Sequence, residues 1–367
     1  EGEGPSASEG EGEEEEEDRA ENEGDVRVIN QVPAFVGVSP LLAEELEERI
    51  RTGGPLPAPV ADMISTEVRA VGKHAELKDR RSGDADTLPN VLFVLLGGTG
   101  STPNAYTEIL ISINTETDID VLGLSYVWAP FAVSKLNEAC GDPTFSDGDF
   151  VEQCHDHHHM TILHGGNSSL FSLPREYSVI SRLTEALQLL GWSDFLTTDP
   201  NSGQVIPFFK KIILGGHSQG TGHATYAAFL NEYYRAVLIS GPQNCCGKLF
   251  VDREFKTPVS NISALFHAQE DLNGIISDNL LRIGLRKPSD WPDDFNEDLK
   301  NFDTAVVSTS EDPDDACTQA QRPEHASTAA NVCTPKDNST NRPVYDEEGL
   351  WPWVVTGRVV IQNTDDS

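Results

Sequence analysis

The chain has 367 residues and a formal net charge of −34, from 60 acidic and 26 basic residues. Nucleic acids and anionic membranes bind basic protein surfaces, so this charge argues against both as partners. No stretch reaches the roughly 20 apolar residues of a membrane-spanning helix, so the sequence predicts no transmembrane segment.

The N-terminal part has a composition that differs from the rest. Residues 1–25 are rich in Glu, Gly and Ser and contain no aromatic residue, so they cannot bury a core, and we expect a disordered acidic tail. It is either a tether that follows a lipidated cysteine, as in bacterial lipoproteins, or a solubilising tail without an anchor. Residues 26–89, with a helical pattern at Leu41–Arg51, predict a lead-in packed on a larger domain at 90–367.

The first strong strand signal comes with a glycine-rich loop. Asn90–Leu96 is apolar almost throughout, as buried parallel strands are, and it runs into Gly97–Pro103. In hydrolases with a serine nucleophile, a loop at this place gives one backbone N–H to the oxyanion hole, and Thr99 and Gly98 are the candidates. An ordinary βα turn is the alternative. A phosphate loop is disfavoured because no Lys-Ser/Thr follows the glycines.

A second strand is predicted at Asp120–Tyr126, followed by a polar insertion at 137–166 that holds the histidine-rich run His155–His159. Histidines can bind a metal. Adjacent loop residues cannot all converge on one ion without other ligands, however, and no H-E-x-x-H motif is present. The sequence therefore favours loop histidines near the mouth of a cleft, and it predicts neither a metal nor a cofactor.

The most informative stretch is Gly216-His217-Ser218-Gln219-Gly220, which fits the G-x-S-x-G motif of a nucleophile elbow. A serine at a tight strand-to-helix turn has a strained backbone, so the residues two before and two after it must lack bulk. Gly216 and Gly220 meet that requirement. A chance match is the alternative, but an apolar β-branched run before the motif and a helix-compatible segment after it favour a true elbow.

Further elements follow the usual periodicities. They are an amphipathic helix within Tyr177–Leu196, strands at Arg235–Ser240 and Ile262–His267, an acidic insertion at 274–315 that could form a cap or cleft wall, and a terminal helix within Asn341–Trp353.

A serine nucleophile needs a base and a carboxylate, in the chain order Ser, acid, His. The acid should follow a late strand, where Asp271 is our first choice and Glu270 the second. His223 lies on the elbow helix, and His267 precedes the acid. His325 is therefore the predicted base, with Ser218 as the nucleophile.

The chain has six cysteines, at positions 140, 154, 245, 246, 317 and 333. An even number in close pairs is typical of an oxidising compartment, so we expect a secreted or periplasmic/cell-envelope protein. Cys140–Cys154 and Cys317–Cys333 are the predicted disulfides, because each would close a short polar loop. The state of Cys245 and Cys246 stays open, and free thiols in a cytosolic protein are the alternative.

Several segments together resemble a group of largely uncharacterised, secreted bacterial α/β-hydrolases. They are GGTGSTPNAY (97–106), VLGLSY (121–126), the Cys140…Cys154 loop, SVISRLTEALQLLGW (178–192), IILGGHSQGTGHA (212–224), FHAQED (266–271) and EHAST (324–328). The resemblance implies an α/β-hydrolase fold, with a mostly parallel sheet flanked by helices and loop insertions forming a cap or cleft wall. It also implies Ser218, Asp271 and His325 as the triad, while Gly97 and Thr221 depart from the residues expected there.

The predicted activity is hydrolysis of a carboxylic ester through an acyl-enzyme, with Thr99 or Gly98 and Gln219 as oxyanion donors. Small-molecule, lipid and polymer esters all remain open as substrates. An acyltransferase that uses the same acyl-enzyme and a non-catalytic scaffold that binds a ligand or metal are the alternatives. The sequence does not predict an oligomeric state.

Overall fold

The computed structural model describes residues 27–29, 74–77, 90–117, 119–128, 136–137, 140, 148–168, 171–244, 253–285, 306–309, 313–314, 317, 322–331, 333–347 and 350–356. The expected tail, the helical pattern at Leu41–Arg51 and the pair Cys245 and Cys246 lie outside these residues.

The described residues form an eight-stranded sheet with two short hairpins beside it. The sheet strands are β1 (Arg27–Ile29), β2 (His74–Leu77), β3 (Leu92–Leu96), β4 (Asp120–Leu124), β9 (Ile212–His217), β10 (Arg235–Ile239), β11 (Ile262–His267) and β12 (Val306–Thr309). The hairpins are β5 (Gly166–Asn167) with β6 (Ser172–Leu173), and β7 (Leu196–Thr198) with β8 (Val205–Pro207).

The sheet is mostly parallel, in the order β1-β2-β4-β3-β9-β10-β11-β12. Five of its seven pairings are parallel, and the antiparallel ones join β1 to β2 and β2 to β4. Leu96 at the end of β3 pairs with Gly216 near the end of β9. The loops that follow these two strands therefore leave the sheet at the same edge.

Helices cover both faces of the sheet. They are α1 (Thr107–Thr117), α2 (Gly148–His164), α3 (Val179–Leu190), α4 (Gln219–Leu230), α5 (Asn273–Ile283), α6 (Pro323–Ser327), α7 (Val344–Glu347) and α8 (Leu350–Thr356). Apolar residues of α1 and α8 share one core cluster, and those of α2 to α5 share the other. Both clusters draw alternate residues from β3, which explains why that strand is apolar almost throughout.

This architecture confirms the predicted α/β-hydrolase fold class. The predicted strand at 262–267 matches β11, and the other predicted strands differ from the observed ones by a few residues at their ends. Two elements within the insertion at 274–315 were not predicted individually: α5 packs on the core, and β12 extends the sheet beside β11.

The expectation of a loop around the histidine-rich run is wrong, because residues 148–164 form helix α2. His155, His158, His159 and Ile162 are spaced as neighbours on one face of a helix, and all four are buried. The inward face of α2 is therefore partly polar, which hides the helical periodicity in a search for apolar residues.

Two predicted disulfides are confirmed, Cys140–Cys154 and Cys317–Cys333, with Cα–Cα distances of 5.5 and 4.5 Å. Disulfide pairs of this kind suggest an extracellular or periplasmic protein. In the described part of the chain, no helix is long and apolar enough to cross a bilayer.

Candidate active site

Ser218 lies on the turn between β9 and α4 in a strained backbone conformation, with φ 56° and ψ −118°. A Cβ at Gly216 would lie 2.2 Å from the Gly220 carbonyl oxygen, and a Cβ at Gly220 would lie 2.2 Å from the Leu96 oxygen. No side chain fits at those distances, so Gly216 allows the turn to close on itself and Gly220 allows it to pack against β3. The turn presents the half-buried Ser218 at the edge of the sheet.

A buried histidine–carboxylate pair lies close to this turn. His325 on α6 has its Nδ1 2.6 Å from Glu270 Oε2, and the two side chains are 8% and 0% exposed. The backbone carbonyl of His325 accepts a hydrogen bond from Nε2 of His217, the residue before Ser218, at 3.1 Å. Burial raises the pKa of Glu270 to about 7 and lowers the pKa of His325 to about 3.

The structure brings Glu270, and not Asp271, to His325. Asp271 has a side chain that is 62% exposed, and its Oδ1 accepts a hydrogen bond from Arg322 Nε and forms an ion pair with Arg322 Nη2. The turn after β11 separates the two neighbouring carboxylates. The Glu270 N–H donates to the His267 carbonyl, and the His267 N–H donates to Glu270 Oε1, which folds Glu270 back over the strand end.

The glycine-rich loop lies directly against Ser218. A Cβ at Gly98 would be 3.0 Å from Ser218 Cβ. The Gly98 N–H donates to the Tyr106 hydroxyl at 2.8 Å. Of the two predicted oxyanion donors in this loop, Thr99 is therefore the remaining candidate. The Thr99 hydroxyl donates to Gln219 Oε1 at 2.6 Å. Gln219 is the first residue of α4, at the positive end of the helix dipole.

His217 links the loop to the histidine segment. Its Nε2–H donates to the His325 carbonyl, so in the neutral ring Nδ1 is an acceptor. The Tyr106 hydroxyl lies 3.0 Å from this Nδ1 and 3.0 Å from Ser101 Oγ, and its one proton is shared between these two acceptors. Burial lowers the pKa of His217 to about 3, which keeps the ring neutral and this pattern of donors fixed. Hydrogen bonds therefore run from Gly98 through Tyr106 and His217 to His325. They connect the glycine-rich loop to the segment that carries His325, next to Ser218.

Two polar residues at this site were not predicted from the sequence, Tyr106 and Gln243. Gln243 Nε2 lies 3.1 Å from Nδ1 and 3.2 Å from Nε2 of His325, and it donates to the Ser240 carbonyl. Arg322 donates to Gln243 Oε1, which fixes the orientation of the amide. The amide nitrogen therefore lies at nearly the same distance from both ring nitrogens of His325.

The remaining histidines considered above lie elsewhere. His267 ends β11, and its Nδ1 accepts from the Gln269 N–H. His223 is buried on α4, where its Nδ1 is 2.9 Å from Nδ1 of His159. The histidine-rich run is thus joined to the elbow helix, on the α2 side of the sheet.

Comparison with known proteins adds structural similarities only. No family model matches this chain, and no curated protein matches it. Solved structures similar to it include a thermostable esterase, with 12% identity over 77% of this chain and 58% of that one and a TM-score of 0.34. Esterase PE8 has 14% identity over 64% and 88% of the two chains, at a TM-score of 0.32.

A third similar structure is XC6422 from Xanthomonas campestris, described as an α/β serine hydrolase without a lid. It has 11% identity over 65% of this chain and 78% of that one, at a TM-score of 0.31. This chain spans 58% of the length of the thermostable esterase. At these values the strand order and helix layers, rather than the similarities, define the fold.

Proposed function

We propose that this protein is a serine hydrolase that cleaves carboxylic esters through an acyl-enzyme. The observation that carries the proposal is the buried Glu270–His325 pair, whose histidine carbonyl is hydrogen-bonded to His217, the neighbour of the strained Ser218. A serine hydroxyl is a weak nucleophile and needs such a base, oriented by a carboxylate. Glu270 takes the role for which the chain order first suggested Asp271.

The chemistry proceeds in two stages. Ser218 Oγ attacks the ester carbonyl carbon while His325 Nε2 takes its proton, and ionised Glu270 accepts from Nδ1–H and stabilises the imidazolium. The N–H groups of Thr99 and Gln219 stabilise the oxyanion. His325 then protonates the leaving alcohol. A water molecule, deprotonated by His325, releases the acid from Ser218.

The Gln243 amide must move aside during this cycle, because it lies 3.2 Å from the nitrogen that receives the serine proton. The acidic chain disfavours negatively charged substrates, so we propose an uncharged small-molecule, lipid or polymer ester. The two disulfides support action outside the cytosol, in a secreted or cell-envelope location. Tethering through the acidic residues 1–25 remains part of this proposal.

The direct test is covalent labelling with a fluorophosphonate probe, followed by peptide mapping. We expect the probe on Ser218 in the wild type, none in Ser218→Ala, and labelling at least about 100-fold slower in His325→Ala. An ester panel with a competing alcohol then separates hydrolysis from acyl transfer. A folded wild type that does not react with the probe would instead indicate a non-catalytic binding protein.

A further inference from the structure

A group of three buried histidines lies between α2 and α4, outside the machinery proposed above. The histidine cluster consists of His158 and His159 on α2 and His223 on α4. One nitrogen of each ring lies within 4.8 Å of one nitrogen of the other two, and each side chain is at most 1% exposed. Ester hydrolysis at Ser218 assigns no role to these rings.

The two helices bring ring nitrogens close together. Nδ1 of His159 and Nδ1 of His223 are 2.9 Å apart, so one of them must carry a proton directed at the other. Nε2 of His223 is buried without a hydrogen-bond partner in the described structure. A tetrahedral zinc ion, with bonds of about 2.0–2.1 Å, holds its ligand atoms about 3.3 Å apart, so a small shift of these rings makes room for one.

Outer contacts support the same arrangement. Asn244 Nδ2 lies 3.1 Å from His159 Nε2 and 3.0 Å from Nδ1 of His155, which is one turn earlier on α2. A half-turn of the amide places its oxygen there instead, as an acceptor for a His159 Nε2–H. His159 Nδ1 then carries a lone pair toward the cluster, the tautomer that an outer carbonyl selects in metal sites.

The backbone of α4 also makes room for the cluster. A Cβ at Gly222 would lie 2.8 Å from His159 Cε1 and 2.9 Å from Asn244 Oδ1, so only glycine allows this approach. The surroundings are aromatic: His158 packs on Phe171, and His223 on the edge of Tyr126.

We propose that His158, His159 and His223 bind one divalent transition-metal ion of the zinc class, which fastens α2 to the elbow helix α4. Imidazole suits Zn²⁺ and its neighbours, whereas Mg²⁺ and Ca²⁺ require oxygen ligands. The ion would add a bond between the insertion and the helix that begins next to Ser218.

The test uses the full chain after treatment with a chelator and desalting. We expect titration with Zn²⁺ alone to show one ion bound per chain, and Co²⁺ to give the intense visible absorption of a tetrahedral site. Zn²⁺ should also raise Tm. His159→Gln and His223→Gln should each weaken Zn²⁺ binding at least about 100-fold, whereas the loss of an outer-shell partner in Asn244→Ala should cost about 10- to 100-fold.

His157→Gln is the matched control, because His157 lies on the same helix but outside the cluster. We expect it to bind Zn²⁺ as the wild type does. The proposal is wrong if the wild type retains no Zn²⁺ and if Co²⁺ added to it shows only the spectrum of the hydrated ion. It is also wrong if His223→Gln keeps one ion with unchanged affinity, since the metal then lies elsewhere. If the histidine variants do not fold, the wild-type measurements and Asn244→Ala still decide.

Discussion

Glu270 and Asp271 are consecutive carboxylates in opposite environments. Glu270 is buried against His325, whereas Asp271 is exposed and paired with Arg322. A carboxylate that orients the base contributes far more to catalysis than a surface ion pair contributes to stability. The two residues therefore offer a direct comparison of the two roles.

The first prediction concerns this pair of residues. We expect Glu270→Gln to slow phosphonylation of Ser218 at least about 100-fold, because a neutral amide does not stabilise the imidazolium. Asp271→Asn should stay within about threefold of the wild type. The measurement is the pseudo-first-order labelling rate. A larger loss in Asp271→Asn than in Glu270→Gln would return the orienting role to Asp271.

The second prediction concerns pH. Burial raises the pKa of Glu270 to about 7 and lowers that of His325, so below pH 7 the proton of the pair resides on Glu270. Protonated Glu270 donates to His325 Nδ1. The neutral imidazole then carries its own proton on Nε2, the nitrogen that has to accept the proton of Ser218. We expect kcat/KM to fall about tenfold per unit below a macroscopic pKa near 7 that belongs to the pair. A profile that is flat down to pH 5 contradicts this.

Chain order could narrow the acid to two residues but could not choose between them. The choice depends on which way each side chain points after β11, and this is set by two hydrogen bonds between Glu270 and His267. The contact between Tyr106 and His217 joins residues 111 positions apart, and that between Gln243 and His325 joins residues 82 apart. No spacing rule covers such pairs, because they meet only when the sheet is assembled.

Elements follow sequence patterns more closely than individual contacts do. Apolar runs predict the central parallel strands because both faces of those strands are buried. The elbow could be predicted for a steric reason, since its two glycines are read directly from the motif. Helix α2 could not be predicted from the sequence, because its inward face carries histidines where the periodicity rule expects apolar residues.

A third prediction tests the steric account of the elbow. Gly220→Ala would place a Cβ 2.2 Å from the Leu96 oxygen, so β3 and the turn must separate. We expect a loss of about 3 kcal/mol in the free energy of unfolding, measured with urea. Gly274→Ala on α5 is the control, because a Cβ there meets nothing within 4 Å. Equal stability of the two variants would show that the turn can accommodate the added methyl group.

At the scale of the whole molecule, buried neutral histidines link folding to pH. The pKa of His217 is about 3 in the folded chain, with burial as the main cause, and about 6.5 in an unfolded one. A depressed pKa contributes stability that is fully present above pH 6.5. This contribution is lost as the pH falls toward 3, because the unfolded chain takes up the proton first.

The fourth prediction follows from that linkage. Between pH 7 and pH 5, the free energy of unfolding of the wild type should fall by about 2 kcal/mol more than that of His217→Gln. Urea unfolding of both proteins at the two pH values gives the change in the free energy of unfolding for each. Comparing the two changes removes any loss of stability that the substitution causes equally at both pH values. Identical changes in the two proteins would mean that His217 already titrates normally in the folded state.

The Cys317–Cys333 disulfide closes the segment of chain that carries His325, whereas Ser218 stands on a turn built into the sheet. Under the proposed function, we therefore expect the position of the nucleophile to depend on the sheet, and that of its base to depend also on this crosslink. A chain with this disulfide reduced would then react more slowly than the oxidised one. We expect dithiothreitol to slow labelling of Ser218 and reoxidation to restore it; an unchanged rate after full reduction would show that the segment holds without its crosslink.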